Sequence, residues 1–167
     1  EFLKNIAGTE NILLDAYKGS AVTNLNESNF EKAYLDIYNA LELDKNNPEI
    51  NFLMGYYYFN INEYRKAQNY LEYVYNNYRD SFDNPLLRLS LMQIYYYEDQ
   101  LDRASKLIKE VKKGDFSNPD IQFWVKKIED DIAVEQSFTT SKTEHFIIKY
   151  NAGSLNLLGS KMVNILE

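Results

Sequence analysis

The sequence predicts an all-α protein built from stacked helical hairpins, with a short strand and a helix at its C-terminus. The dipeptide Asn-Pro occurs at 47–48, 84–85 and 118–119, and proline is favoured in the first turn of a helix. The prolines at 48, 85 and 119 are 37 and 34 residues apart, a length typical of a two-helix repeat. Between them, apolar residues recur at helical spacing.

Turn formers and prolines bound the predicted helices. Residues 2–7 look like the end of a helix that Gly8 caps, and another helix is expected from Glu10 to about Asn26. The turn at 26–29 leads to a helix over about 29–43, which must end before Pro48 because a residue preceding proline avoids helical geometry. The other helices are expected at about 48–60, 63–78, 85–98, 101–112 and 119–136, with turns at 60–62 and 99–100.

The character of the sequence changes after Gln136. Residues 137–144 are polar and rich in Thr, HFIIKY at 145–150 is a strand candidate, a turn is expected at 151–153, and Ser154 can cap a last helix to Leu166. We therefore predict two regions. They are a helical repeat domain over 1–136, with hairpins at about 10–45, 48–80 and 85–113 and a helix at 119–136, and a linker plus strand–helix segment over 137–167, compatible with the start of a downstream domain.

Composition and charge exclude several classes of function. The net charge of the 167 residues is −7 and no Lys/Arg block is present, which argues against a nucleic-acid partner. No apolar run reaches the roughly 20 residues that span a bilayer. The absence of cysteine excludes disulfides and thiolate metal sites, and it fits the cytoplasm of a bacterium or, for an exported parent chain, its periplasm or cell envelope.

Matching places in the three units carry residues of similar type, most of them small or aromatic. Gly55, Tyr58 and Ala67 of the central unit correspond to Met92, Tyr95 and Ala104 of the next and to Ala21, Asn24 and Ala33 of the first. A small residue lets the two helices of a hairpin approach closely, and a large one there would overpack the contact by about 1 to 3 kcal/mol.

This pattern resembles the tetratricopeptide repeat (TPR), whose signature places a small residue, an aromatic residue, an alanine and a proline at comparable offsets. Residues 10–136 carry the resemblance, which is best in the central unit; in the first unit Asn24 replaces the aromatic residue. The resemblance implies a right-handed superhelix of hairpins. The first helix of each hairpin would line a concave groove that binds peptides or partner proteins.

On this resemblance, side chains of the first helices would face the groove: Phe52, Tyr56, Phe59, Leu89, Gln93, Tyr96, Tyr97, Phe123 and Lys127, with Val22 and Leu25 before them. The alternative for each aromatic residue is a place in the core, since stripes at helical spacing are usually buried. The Lys and Asn set with which some family members hold a C-terminal carboxylate is missing. Lys18 stands alone, so a clamp for chaperone tails is disfavoured.

The last 30 residues contain a further pattern, formed by Phe138, Thr143, His145, Phe146, Tyr150, Leu166 and Glu167. It resembles the opening of gluzincin-type zinc metallopeptidase domains. The zinc-binding motif H-E-x-x-H does not occur in this sequence, so the resemblance gives no catalytic or metal-binding residue. It implies that the chain could be the non-catalytic N-terminal region of a bacterial metallopeptidase, which an H-E-x-x-H motif downstream in the gene would support.

No constellation of catalytic residues is apparent. His145 is the only histidine, and the carboxylates of Glu129, Asp130 and Asp131 diverge on a helix, which favours a solvated charged face. In residues 153–161 the lysine and hydroxyl come in the wrong order for a phosphate loop. We predict a protein that is not an enzyme, uses no cofactor and binds a peptide or protein partner. An architectural spacer or a homo-oligomer is a further alternative, and the oligomeric state stays open.

Overall fold

The computed structural model describes residues 2–113, 117–142, 145 and 147–151, and it divides into two compact units, Glu1–Phe116 and Ser117–Glu167. The first unit contains six helices: α1 (Phe2–Asn26), α2 (Phe30–Leu43), α3 (Pro48–Asn60), α4 (Tyr64–Tyr78), α5 (Pro85–Tyr97) and α6 (Leu101–Val111). Each odd-numbered helix packs on the helix that follows it, and α2 and α4 also pack on the next hairpin. The predicted all-α stack of hairpins is confirmed.

The Asn-Pro dipeptides begin helices as expected. The side-chain oxygen of Asn47 accepts hydrogen bonds from the backbone N–H groups of Glu49 at 3.1 Å and Ile50 at 3.3 Å. Asn84 and Asn118 cap α5 and the later helix α7 (Pro119–Gln136) in the same way. These caps satisfy N–H groups that lack a partner within the helix, while proline occupies the position where no N–H is needed.

The turns inside the three hairpins share one backbone conformation. Ser28, Asn62 and Asp99 have positive φ angles of 59°, 61° and 55°. The residue after each donates its N–H to a carbonyl five residues back, as from Glu63 to Tyr58 at 2.9 Å. This is the Schellman pattern of a helix C-terminus, and it turns the chain sharply into the second helix of each hairpin.

The small residues of the repeat lie at the helix contacts. Ala33, Ala67 and Ala104 are completely buried. Gly55 is buried on α3, where a Cβ atom would lie 2.6 Å from Cδ2 of Leu71 on α4. The interior around these positions is aliphatic, with Ile37, Ile50, Leu71, Leu87, Leu91, Met92, Ile94 and Ile108 as its largest fully buried side chains.

A polar network joins the last three helices of the first unit. The Tyr95 hydroxyl on α5 donates to Oε1 of Glu72 on α4 at 3.1 Å, and Nη2 of Arg103 on α6 lies 2.7 Å from the same oxygen. The Arg103 guanidinium also covers the Tyr95 ring at 4.6 Å. Burial, and then the charge of Glu72, raise the pKa of Tyr95, so the hydroxyl stays protonated and keeps its donor role.

The prediction that Gly8 ends a helix is wrong. Helix α1 runs without interruption from Phe2 to Asn26. One glycine within a helix costs only about 1 kcal/mol, and neither proline nor a turn-forming cluster follows Gly8 to end the helix.

No helix of the described ranges is both long and apolar enough to cross a membrane.

The described part of the second unit contains α7 and two antiparallel strands, β1 (Phe138–Lys142) and β2 (Ile147–Asn151), with Phe138 opposite Asn151 and Lys142 opposite Ile147. Of the strand expected at 145–150, residues 147–150 lie in β2, whereas His145 lies outside it. Asn151 extends the strand instead of opening a turn. Its partner β1 was not predicted, because its sequence FTTSK is short and mostly polar. The turn residues 152–153 and the helix expected from Ser154 to Leu166 lie outside the described residues, and the boundary at 136/137 stays a prediction.

Candidate aromatic binding surface

Seven aromatic rings contact one another in an unbroken series across the first unit. We call this series the aromatic ladder; in spatial order it consists of Phe82, Phe52, Tyr56, Phe59, Tyr64, Tyr97 and Tyr96. Neighbouring ring centroids are between 5.0 and 6.3 Å apart. Such offset-stacked and edge-to-face contacts each contribute about 0.5 to 1.5 kcal/mol beyond the area that they bury.

Helix geometry places the rings in this order. Phe52, Tyr56 and Phe59 are four and three residues apart on α3, so they share one face. Tyr64 begins α4 directly after the hairpin turn, and its ring stacks on Tyr97 at the end of α5 with a centroid distance of 5.0 Å. The ladder therefore continues from the central hairpin onto the next one.

The exposure of the rings changes along the ladder. Phe52 is only 6% exposed, whereas Tyr97 is 47% exposed. Tyr56, Phe59, Tyr64 and Tyr96 are half-buried. The hydroxyl of Tyr56 has no hydrogen-bond partner among the described residues. One ring of the ladder, Phe52, is thus buried, and another, Tyr97, is widely accessible. Tyr56 carries a hydroxyl that no described residue binds.

The hydroxyl of Tyr64 is already engaged within the protein. It donates to the side-chain oxygen of Asn62 in the hairpin turn at 2.9 Å. Burial, and then the nearby Tyr97, raise the pKa of Tyr64, because both disfavour a phenolate. The Tyr64 side chain, which links the two hairpins, is therefore neutral at physiological pH.

Five of the nine residues predicted to face the groove belong to the ladder: Phe52, Tyr56, Phe59, Tyr96 and Tyr97. Of the other predicted residues in the first unit, Leu89 is 9% exposed and Gln93 is half-buried. Val22 and Leu25, expected before them, are 42% and 7% exposed. Leu25, Phe52 and Leu89 therefore have little surface to offer a ligand, whereas Tyr97 has a large one.

The last two predicted residues lie on α7 in the second unit. Phe123 is 62% exposed and packs edge-on against Trp124 with a centroid distance of 5.9 Å. The Lys127 ammonium lies 3.4 Å from Oδ2 of Asp131. Asp130 is paired similarly with Lys126 at 2.6 Å, in agreement with a charged helix face. The membership of Phe123 and Lys127 in a groove stays a prediction.

Two ladder residues were missed by the sequence analysis. Phe82 lies in the loop between α4 and α5, where its N–H donates to the carbonyl of Tyr78 at 2.7 Å. Tyr64 is the first residue of a second helix, and only first helices were expected to line the groove. The extra length of the 79–84 loop was visible in the sequence, but its contact with Phe52 depends on tertiary packing.

A second aromatic group lies on α2, α3 and α4. Phe30, Tyr34, Tyr38, Tyr57, Tyr58 and Tyr70 form it. Burial raises the pKa values of Tyr57 and Tyr58, so these phenols are also neutral at physiological pH. Tyr38 is 47% exposed, as is Tyr97 of the ladder, and it stacks on Tyr34 at 6.2 Å. Tyr38 therefore provides a matched comparison for Tyr97.

Lys18, the cation that the sequence analysis considered for a carboxylate clamp, has acidic partners. Its Nζ atom lies 2.6 Å from Oε2 of Glu49 and 3.2 Å from Oδ1 of Asp15. The hydrogen bond to Glu49 is the main cause that raises the pKa of Lys18. A carboxylate ligand would have to compete with both partners for this ammonium group.

Metal-binding side chains are not clustered in the described part of the chain. No group of three or more His, Cys, Asp or Glu side chains there could hold a metal ion. His145 is exposed in the connection between β1 and β2 and does not belong to a strand.

Neither a protein-family model nor a curated protein matches the chain. Solved structures do. The first TPR of Spaghetti (RPAP3), bound to the HSP90 peptide SRMEEVD, has 14% identity and a TM-score of 0.63, with 72% of this chain and 95% of that chain covered. The N-terminal domain of stress-induced protein-1 (STI-1) from C. elegans has 18% identity and a TM-score of 0.57, with 72% and 97% covered. YrrB, a TPR protein described as having an unusual peptide-binding site, has 18% identity and a TM-score of 0.61, with 72% and 60% covered. The chain has the fold of a tetratricopeptide-repeat protein.

Proposed function

We propose that this chain is a non-catalytic interaction module that binds a peptide segment of a partner protein on the aromatic ladder. The continuity of the seven rings across two hairpins carries this proposal. Aromatic side chains offer large contact areas with few rotatable bonds, so they lose little entropy on binding. Tyrosines at an interface also combine an apolar ring with a polar hydroxyl.

Two structural neighbours support a peptide ligand. One of them holds a peptide of HSP90, and another is described by its peptide-binding site. The likeness concerns the fold, so the ligand of this chain must follow from its own side chains. Because Lys18 is paired with Glu49 and Asp15, we propose that the partner is anchored by apolar and aromatic side chains and not by a C-terminal carboxylate.

The ladder residues would divide into supporting and contacting groups. Phe52 is nearly inaccessible, so it would hold the neighbouring rings of Tyr56 and Phe82 in place. Tyr97 has the largest accessible fraction and would contact the ligand directly. Tyr56 would contribute its free hydroxyl to a backbone or side-chain group of the peptide. An interface of this kind usually depends on a few such anchors.

A displayed peptide library selected on the whole chain would test the proposal. The dissociation constant of an enriched peptide would then be measured for the original chain and for the variants Tyr97→Ala, Tyr56→Ala and Tyr38→Ala. Truncating an anchor costs about 2 kcal/mol or more, so Tyr97→Ala should weaken binding about thirtyfold.

Tyr38→Ala is the matched control, because Tyr38 has the same exposed fraction as Tyr97 but lies outside the ladder. We expect it to change the affinity by less than about threefold, the scale of a near-neutral contact. Circular dichroism would verify that each variant keeps its helicity. Equal losses for Tyr97→Ala and Tyr38→Ala would refute binding on the ladder, as would a library in which no peptide is enriched.

A further inference from the structure

A pocket of about 320 Å³ lies outside the ladder, between the loop that precedes α3 and the exposed side of α4. Its lining residues are Lys45, Asn46, Asn51, Asn69, Tyr70 and Tyr73. Its size is at the lower end of the range for small-molecule sites. The walls combine two tyrosine rings with amides and one ammonium group, so the pocket offers both apolar contact and hydrogen bonding.

Asn51 is the buried polar group of this pocket, with 6% of its surface exposed. Its side-chain nitrogen donates to the carbonyl oxygens of Lys45 at 2.9 Å and Asn47 at 2.8 Å. These two bonds use both amide hydrogens and fix the orientation of the amide. The oxygen Oδ1 accepts no hydrogen bond from any described residue. No fully buried side-chain oxygen of the described residues lacks a partner, so Oδ1 is reached by solvent at the wall of the pocket. A ligand that fills the pocket would displace this solvent, which favours one that donates a hydrogen bond to Oδ1.

The repeat explains why a cavity exists at this place. The tetratricopeptide signature W-x2-L-G-x2-Y aligns its last two defined residues with Gly55 and Tyr58, and its tryptophan then falls on Asn51. An asparagine is much smaller than a tryptophan, so the indole volume is left unfilled. In the first unit Tyr17 occupies the equivalent place, 34 residues earlier.

The third unit shows a different outcome at the same position. Arg88, 37 residues after Asn51, lines a larger pocket of about 480 Å³. There Arg88 is paired with Asp83 at 2.6 Å and Arg79 with Glu110 at 3.6 Å. Four charged side chains of that pocket are therefore paired with one another. Around Asn51, by contrast, the Lys45 ammonium, the Asn69 amide and the Tyr70 hydroxyl have no hydrogen-bond or ion-pair partner among the described residues.

These groups restrict the chemistry of a ligand. An anion would face the lone pairs of Asn51 Oδ1, a cation would meet the Lys45 ammonium, and a pure hydrocarbon would leave Oδ1 unsatisfied. A neutral planar ring that carries one N–H or O–H donor meets all three conditions. Its donor would bond Oδ1, its ring would pack against Tyr70 and Tyr73, and Lys45 could lie over its face as a cation–π partner.

We propose that the Asn51 pocket binds an aromatic group with a single hydrogen-bond donor, an indole or a phenol, in the place that the repeat signature gives to tryptophan. The group could belong to a free small molecule or to a tryptophan or tyrosine side chain of a partner. Both sources present the same chemistry to the pocket. The site does not depend on the ladder, because no residue of the ladder lines it.

Indole and 1-methylindole are the decisive probes, since the methyl group removes only the N–H donor. Each would be titrated into the ¹⁵N-labelled whole chain while the side-chain amide signals of Asn51 and Asn69 are followed by NMR. Indole should shift both signals, and 1-methylindole should bind about tenfold more weakly, the upper range for one hydrogen bond. Equal affinities, or shifts that map to the ladder, would overturn the proposal. Tighter binding of methyl glucoside than of indole would also overturn the proposal, because this sugar carries hydroxyl donors but no aromatic ring.

The variant Asn51→Trp supplies the missing side chain from within the protein. It should abolish the indole-induced shift of the Asn69 signal. Asn11→Trp makes the same substitution at an exposed position of α1 and should leave indole binding unchanged. Undiminished binding to Asn51→Trp would contradict the proposal. The comparison of indole with 1-methylindole needs no variant, so it decides the question even if Asn51→Trp does not fold.

Acetyl-tryptophanamide distinguishes the two sources of the ring. If it binds as indole does, the pocket admits a side chain attached to a peptide backbone, which supports a partner residue. If only free indole binds, the pocket serves a small molecule. Failure of both compounds to bind would refute the site and leave the proposed function of the ladder unaffected, because the two tests monitor different residues.

Discussion

Replacing Gly55 with alanine tests how closely α3 and α4 approach. The added Cβ would lie 2.6 Å from Cδ2, 2.7 Å from Cγ and 3.2 Å from the backbone nitrogen of Leu71. Leu71 is completely buried, so a shift of its side chain would have to be accommodated within the core. The helix axes or the core around Leu71 would therefore have to shift.

The expected size of the effect follows from two opposing terms. Overpacking a well-packed contact costs about 1 to 3 kcal/mol. Alanine returns about 1 kcal/mol, because glycine is the poorer helix former by that amount. We expect Gly55→Ala to lower the free energy of unfolding by about 1 kcal/mol, which corresponds to a decrease in Tm of about 4 °C for the first unit, Glu1–Phe116.

Gly19→Ala is the matched control, because a Cβ at that position of α1 would meet no described atom within 4 Å. Only the helix propensity changes there, so this variant should be more stable by about 0.5 to 1 kcal/mol. Urea unfolding followed by circular dichroism would measure both variants. A second comparison adds Gly55→Ala to a Leu71→Ala background, where the clash is removed and the alanine should become stabilising. If Gly55→Ala stabilises the original chain as much as Gly19→Ala does, the close contact between α3 and α4 is refuted.

Two further predictions concern the first unit. Ser28→Gly should raise the free energy of unfolding by about 0.5 kcal/mol, because relief of a positive φ of 59° outweighs the entropy cost of glycine; a decrease in Tm would contradict this. Burial, and then the hydrogen bond to Glu110, raise the pKa of Tyr75 to about 12 from its ordinary value of 10. The folded state therefore holds the proton more tightly, and this contribution to stability is complete below pH 10 and is lost as the pH rises to about 12. Urea titrations across that range should show a shallower loss of stability for Tyr75→Phe, and an unchanged slope would refute the assignment.

The helices could be predicted because their boundaries are encoded locally. Asn47, Asn84 and Asn118 each cap a helix that begins with the following proline. The turns at Asn62 and Asp99 lie where polar residues tolerant of positive φ interrupt the apolar pattern. Gly8 shows the limit of this reasoning, since a single glycine can end a helix or lie within it, and its neighbours decide which.

The aromatic ladder was predictable only in part, because it is assembled from separate elements. The spacing of Phe52, Tyr56 and Phe59 fixes a common face on α3 whatever surrounds it. The contacts of Phe82 and Tyr64 with that face depend on how a loop and a second helix return to it. Burial is also non-local: Phe52 and Tyr97 come from the same type of pattern, yet only Tyr97 keeps a large exposed surface.

A comparison of equivalent positions in the units separates the scaffold from the surfaces that it presents. Ala33, Ala67 and Ala104 are all small and fully buried, since the contact between paired helices leaves no room for variation. Four residues before Gly55 and its equivalents in the other units, the residues are Tyr17, Asn51 and Arg88, which differ in size and charge.

On the proposal for the Asn51 pocket, the differences at this second position would change what each hairpin can bind. Asn51 leaves a cavity with an unused acceptor, whereas Arg88 lines one in which it is itself paired with Asp83. The buried alanines hold each hairpin together whichever residue stands at this second position. Exchanging Asn51 or Arg88 should therefore alter ligand binding more than the fold. The same reasoning applies to the ladder, where Tyr97 can change with little effect on the core but Phe52 cannot. The specificity of the first unit would then reside in residues that the repeat does not require for packing.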